Sequence, residues 1–318
     1  MRFHPLSSTL GLAFLCSPSF SADAWSQGGA FIARGGASSR SSSVLRSTTS
    51  IIKEVETTPI EGMRPGTSGL RKKVEVWQGV DEANKHYVEN FIQSLIDTAI
   101  EANDGKTIDT LIVAGDGRYF NPEAIQIICR VLAGNGVSNI WIPKGGIMST
   151  PAVSAAIRAR EGGKAEGGIV LTASHNPGGP GEDFGIKYNE GFGQPAGEVF
   201  TEALYAKSLE LKTFKTVEDS DDFDLNADVG TNFSITDGST VTIIDPFDTY
   251  LDSLESCFDF EGLKNFFQRD GVSILYDGMH GAGGPFAKRV LVEELGLPEV
   301  SFSFELMQDY SDFVRRTD

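Results

Sequence analysis

Cationic side chains are scarce. The 318-residue chain carries 27 Lys and Arg against 44 Asp and Glu, a formal net charge of −17. An acidic surface of that kind repels nucleic acid and anionic membrane, so neither is an expected partner. If the chain handles phosphate, a local basic pocket must act against the global field. Cysteine is nearly absent, with Cys16, Cys129 and Cys257 the three present. Cys16 falls in a segment expected to be removed. Two remaining thiols make no disulfide framework, and no spacing suggests zinc. Cys129 lies in an apolar helical pattern and is expected as a buried, reduced thiol. The loop Gly-x-x-x-x-Gly-Lys-[Ser/Thr] is missing, which excludes P-loop nucleotide chemistry. No internal repeat is visible. What is present is a sequence 40% hydrophobic, long enough for two globular domains.

The early apolar run at residues 10–16 is too short to span a bilayer. Arg2 precedes it and Ala22-Asp-Ala24 follows, the small-x-small pattern of a signal-peptidase site. Residues 25–50 are rich in Ser, Gly and Arg and hold no Asp or Glu, a transit-peptide composition. The pattern predicts a signal peptide over 1–24 and a transit-like leader over 25–50. Together they resemble the bipartite leader of proteins sent to complex plastids, with the secretory pathway or the cytoplasm as alternatives. No stable membrane association is expected once the leader is gone. Past residue 50 there remain 23 basic and 43 acidic side chains, a net of −20.

Residues 51–80 read as extended and loop-like, with Pro59 and Pro65. A helix is predicted from Asp81, because Val88, Phe91, Ile92, Leu95, Ile96 and Ala99 recur at helical spacing. A buried strand follows at 110–114, then the turn Gly115-Asp-Gly-Arg118. Asn121 is the expected N-cap of the next helix, with Pro122 inside its first turn. Strands at 137–143 and 168–171 flank a helix opened by Thr150-Pro151. This alternation predicts an α/β fold, a mixed and largely parallel sheet layered with helices. A helix at 197–212 and an acidic loop or irregular hairpin at 216–240 complete a first domain over 51–240. A second, partial domain is expected over 241–318, with a strand at 241–244, helices at 247–268, a strand at 272–276 and a helix at 285–294.

The chemistry is carried by Thr172-Ala-Ser-His-Asn-Pro-Gly-Gly179. Ser174 stands just past a strand end, where α/β proteins present reacting groups. Asn176-Pro177 forces a turn and two glycines follow. A hydroxyl held there can carry a phosphoryl group. Two further segments supply cations: Gly66-Thr-Ser-Gly-Leu-Arg71 and Phe184-Gly-Ile-Lys187. A guanidinium suits phosphate oxygens, and an ammonium beside them offsets charge. Asp116 and Arg118 are taken as a structural turn.

The run around Ser174 resembles the phosphoserine loop of the α-D-phosphohexomutases. The segment ending at Arg71 resembles their N-terminal active-site loop, and Asp277-Gly-Met-His-Gly281 their second-domain Asp-Ala-Met-His-Gly turn. Gly178-Gly-Pro and Asp183-Phe-Gly-Ile-Lys187 look most like the glucose-specific members. The resemblance implies an isomerase acting by phosphoryl transfer: Ser174 as phosphocarrier, Lys187 close to it, His175 orienting the loop or moving a proton. Thr67, Ser68 and Arg71 would bind phosphate. It implies Mg²⁺ on the phosphoserine oxygens, small sugar phosphates as substrates and glucose 1,6-bisphosphate as intermediate or activator. Mannose and N-acetylglucosamine phosphates remain alternatives, as does a non-catalytic phosphoprotein.

The resemblance covers residues 62–296. The family has four domains and a magnesium loop, Asp-Gly-Asp-Gly-Asp-Arg, which this sequence does not contain. A truncated gene product, weak or inactive alone, is therefore expected.

Overall fold

The computed structural model describes residues 51–298 apart from Asp219, together with the backbone of 302–303. The leader segments expected over 1–24 and 25–50 lie outside the described residues.

The first described element is β1 (Ile51–Glu56), which pairs antiparallel with β7 (Thr213–Glu218), so the extended part of the 51–80 stretch is a paired strand and not a loop. β2 (Leu70–Lys73) and a single helical turn, α1 (Val74–Trp77), follow. α2 runs over Tyr87–Ala102. It starts later than the expected Asp81, because His86 sits at φ +63 and breaks the run before it. All six residues of its predicted apolar stripe are buried. β3 (Thr110–Gly115), α3 (Asn121–Gly134), β4 (Asn139–Pro143), α4 (Thr150–Ala159) and β5 (Gly167–Leu171) alternate as expected. Asn121, however, is not a cap. Phe120 at φ +73 precedes α3, and the Asn121 amide donates to Gly146 O at 3.3 Å.

β6 (Asp183–Glu190) and α5 (Glu198–Ser208) come next. Beyond β7, β8 (Asn232–Thr236) and β9 (Ser239–Ile244) form a hairpin. The large sheet has the order β2-β6-β5-β3-β4-β9-β8. Its four central strands are parallel, and both margins are antiparallel. Strands covered on both faces need no polar alternation, and β3 and β5 are buried throughout.

Alternate residues of these strands feed two cores. Leu111, Val113, Ile140, Ile169 and Leu171 pack with α2 and α3 on one face. Ile112, Ala114, Trp141 and Val170 pack with Ala152, Val153, Ala156 and Ile157 of α4 on the other. Cys129 is among the buried residues, and desolvation pushes its thiol well above the usual range.

The strand at 241–244 does not open a second unit. It is the body of β9, hydrogen-bonded in parallel to β4, so the expected boundary at 240 falls inside a strand of the first sheet. The remainder holds α6 (Asp248–Cys257), α7 (Phe260–Phe267), β10 (Tyr276–Asp277) and α8 (Gly283–Ala287), which continues as a π-helical stretch over Lys288–Glu294. The strand expected at 272–276 is reduced to β10. Among the described residues, no helix is long and apolar enough to cross a membrane.

Candidate active site

β3 and β5 are parallel neighbours, with Gly115 opposite Leu171, so the turns that leave them emerge side by side. This is the strand-end crevice where α/β sheets place ligands. From Leu171 the chain passes Thr172 and Ala173 to Ser174, which is exposed and held at φ +57. A non-glycine residue in that region costs of order 1–3 kcal/mol, and such strain persists where surrounding contacts fix it.

Those contacts are specific. Ser174 N–H donates to Thr172 Oγ1 at 2.9 Å, and Thr172 Oγ1 donates to Asp116 Oδ2 at 2.6 Å. Arg118 Nη2 donates to Ser174 O at 3.1 Å while Nη1 donates to Asp183 O at 2.7 Å. Asp116 holds the same guanidinium through both carboxylate oxygens. The loop then returns to β6, with Asn176 donating to Asp183 Oδ2 at 2.8 Å and Lys73 paired with Asp183 at 3.0 Å. The Lys73 hydrogen bond holds the Asp183 carboxyl below its ordinary range.

Arg71 arrives from β2. It pairs in register with Gly185 of β6 and crosses it to donate Nη2 to Ser174 Oγ at 2.9 Å. A Cβ on Gly185 would lie 2.5 Å from Thr172 O and 3.1 Å from Arg71 Cγ, so a side chain there would obstruct the crossing. Lys187, two residues along β6, shares that face. Burial, and next the Arg71 charge, lower its pKa, with Asp116 pulling the other way. The turn carrying Thr67 and Ser68 is closed by Gly66 and Gly69, whose amides and carbonyls exchange bonds of 2.9 and 3.2 Å. Gly69, at φ +83, packs so tightly that a Cβ would sit 2.6 Å from Lys187 Cβ.

The structure thus brings Arg71 onto Ser174, places Lys187 near enough to feel the Arg71 and Asp116 charges, and sets Thr67 and Ser68 at the exposed tip of a turn resting on Lys187. Neither Thr67 nor Ser68 has a hydrogen bond to Ser174 among the described residues. His175 is exposed and likewise makes no described hydrogen bond. Asp116 and Arg118, read from sequence as a plain turn, belong to the site, as do Thr172 and Gly185. The signal for the first pair was available: their turn leaves the strand next to β5. The Asp277 turn is structural, with Asp277 Oδ1 accepting from Met279 N at 2.8 Å.

Among the described residues, Arg71 and Lys187 make no ion pair, although the Asp116 charge acts on Lys187, so positive charge gathers around the Arg71 contact to the serine in a chain of net charge −17. That is a site for an anion. It is not by itself a Mg²⁺ site. No cluster of three or more His, Cys, Asp or Glu occurs among the described residues, and Asp116 and Asp183 are committed to Arg118 and Lys73. Mg²⁺ requires near-octahedral oxygen ligation, which these side chains do not supply.

Residues 62–214 match the family described as phosphoglucomutase/phosphomannomutase, alpha/beta/alpha domain I. A cytoplasmic phosphoglucomutase of Bromus inermis is 45% identical over 254 residues, 79% of this chain and 42% of the relative. One from Pisum sativum is 44% identical over 255 residues with the same coverage. The open form of the Paramecium exocytosis-sensitive phosphoprotein pp63/parafusin, a phosphoglucomutase, superposes with a TM-score of 0.73 at 36% identity, covering 82% of this chain and 46% of that one. The chain therefore spans less than half the length of each of these relatives.

Proposed function

We propose that the chain, a member of the phosphoglucomutase/phosphomannomutase family, supplies the phosphocarrier portion of a phosphoglucomutase, with Ser174 as the acceptor. The observation that carries this reading is the bond from Arg71 to Ser174 Oγ beside the unpaired Lys187. A phosphoserine brings roughly −1.5 to −2 charge, which these cations would balance.

In this reading the Ser174 phosphate is attacked by the 6-hydroxyl of glucose 1-phosphate. The seryl O–P bond breaks, the sugar O–P bond forms, and glucose 1,6-bisphosphate results. After reorientation the serine hydroxyl attacks the 1-phosphate, releasing glucose 6-phosphate and restoring phosphoserine. The proton lost by the attacking hydroxyl returns to the leaving oxygen, with His175 on the loop as its carrier. Arg71 and Lys187 stabilise the charge on the transferring group. Thr67 and Ser68 face the sugar phosphate. A Mg²⁺ ion here would have to be held by a phosphate on Ser174, since the neighbouring carboxylates are already paired, and it would supply charge stabilisation.

Incubation of the full chain with glucose 1,6-bisphosphate, followed by peptide mass mapping, tests the reading. One phosphoryl group on Ser174, absent in Ser174→Ala, is expected. A folded wild-type chain that takes up none overturns it. Phosphorylation without turnover of glucose 1-phosphate, even with the remaining domains of a relative added, would favour a phosphoprotein role, the description carried by the Paramecium relative. Rates with mannose and N-acetylglucosamine phosphates decide hexose preference. A plastid location is proposed from the composition of residues 1–50, whereas the plant relatives above are named cytoplasmic. A fluorescent fusion of that segment tests it.

A further inference from the structure

Ser174 is held at both ends of its backbone by side chains that do not touch its hydroxyl. The N–H is received by Thr172 Oγ1, and the carbonyl is capped by Arg118. Both of those groups are bound in turn to one carboxylate, Asp116. Thr172 has a single hydroxyl proton. Because Thr172 Oγ1 donates that proton's hydrogen bond to Asp116 Oδ2, at 2.6 Å between the oxygens, the Thr172 oxygen is left to accept, and Ser174 N–H is its donor. Asp116 therefore sets the direction of the relay as well as its position. Arg118, with its side chain 7% exposed, is fixed from the far side by Asp183 O.

We propose that Asp116 is a positioning residue: through Thr172 and Arg118 it locks Ser174 at φ +57, the conformation in which the serine hydroxyl meets Arg71. The residues after Ser174 bond none of its backbone groups: Asn176 ties the loop to Asp183, His175 and Pro177 are exposed, and Gly178 and Gly179 add no side chain. Without the relay the serine relaxes toward ordinary backbone angles and its oxygen leaves the guanidinium. The proposal rests on Ser174 being the acceptor, so its test includes a readout that does not depend on phosphate.

The variants are Thr172→Val, which removes the relay and leaves every charge in place, Thr172→Ser, which restores the hydroxyl, and Asp116→Asn. Two quantities are measured on the full chain: hydrogen exchange of the Ser174 amide by NMR, and the rate of phosphoryl uptake from glucose 1,6-bisphosphate. Thr172→Val and Asp116→Asn are expected to speed exchange at Ser174 about tenfold while amides of β3 and β5 keep their protection. Uptake is expected to slow about a hundredfold, the scale of a misplaced reacting group. Thr172→Ser should behave as wild type in both. Unchanged Ser174 exchange in both Thr172→Val and Asp116→Asn, or failure of Thr172→Ser to restore it, overturns the proposal. Protected β3 and β5 amides certify folding, and if one variant does not fold the other carries the comparison. A wild-type chain that accepts no phosphate removes the acceptor reading alone, because the exchange data still decide the clamp.

Discussion

Arg71 and Ser174 are 103 residues apart in sequence, yet Arg71 Nη2 donates to Ser174 Oγ at 2.9 Å. They meet because β6 lies between their strands, pairing with β2 on one side and β5 on the other. The glycine at 185 lets the arginine cross that intervening strand.

Removing the guanidinium should therefore strike transfer directly. Arg71→Ala is expected to slow phosphoryl uptake by about 10²–10³-fold, the loss typical of one charge-stabilising donor. Arg71→Lys should recover little of it, because a point charge does not reproduce the planar fork. Rapid-quench measurement with labelled glucose 1,6-bisphosphate checks this; uptake by Arg71→Ala near the wild-type rate would sink the assignment.

Gly185→Ala should damage fold and site together. The new methyl meets Thr172 O at 2.5 Å, and a main-chain oxygen in a ladder cannot step aside easily. A loss of about 1–3 kcal/mol in urea unfolding is expected from this overpacking. Uptake should fall as well, since Arg71 Cγ lies 3.1 Å from the same methyl. Wild-type stability in this variant would contradict the packing described.

Trp77 anchors the strand beneath the site. Its Nε1 donates to Phe184 O at 3.0 Å, and its ring meets Tyr87, Phe91 and Phe184 edge to face. Trp77→Phe keeps an aromatic ring but leaves a buried carbonyl without its donor. Destabilisation of about 2–4 kcal/mol is expected from the lost bond and the smaller ring, read by denaturant titration.

Lys187 gives the site a pH signature. Burial first, and the Arg71 charge second, put its folded-state pKa below the unfolded value of 10.5. Between those two values the unfolded chain binds more protons, so stability rises with pH across that window. Lys187→Met removes the buried charge. It should raise the melting temperature most near neutral pH, with the gain shrinking as pH approaches 10.5. A gain that is constant with pH would rule out this origin. Phosphorylation of Ser174 should move the Lys187 pKa upward, visible in side-chain NMR.

The layered α/β architecture could be read from the sequence because its signals are local. Helical spacing marked α2, the prolines Pro122 and Pro151 marked the starts of α3 and α4, and apolar runs marked β3, β4 and β5. Strands without such a signature were harder to see. β6 has no continuous apolar run, because Gly185, Lys187 and Asn189 interleave Phe184, Ile186 and Tyr188, and its identity as a strand comes from pairing on both sides. β1 is charged and mostly exposed, and exists through its partner β7, more than 150 residues away. In the site, Ser174, Arg71 and Lys187 were legible as motifs. Asp116 and Arg118 carried only a positional signal, a turn at a strand end, and their part, like that of Thr172, is set by hydrogen bonds across 56 residues of sequence that no local spacing encodes.

The place of β9 bears on how little of the chain can stand alone. Val241 and Ile243 are fully buried in one core and Ile244 in the other, and β9 satisfies the outer edge of β4. A piece ending at residue 214, the limit of the family match, would keep every residue from Arg71 to Lys187. It would also bare the β4 edge, a row of unpaired amides and carbonyls next to apolar side chains. Such a piece is expected to self-associate, so the smallest well-behaved portion of this protein extends at least to Ile244.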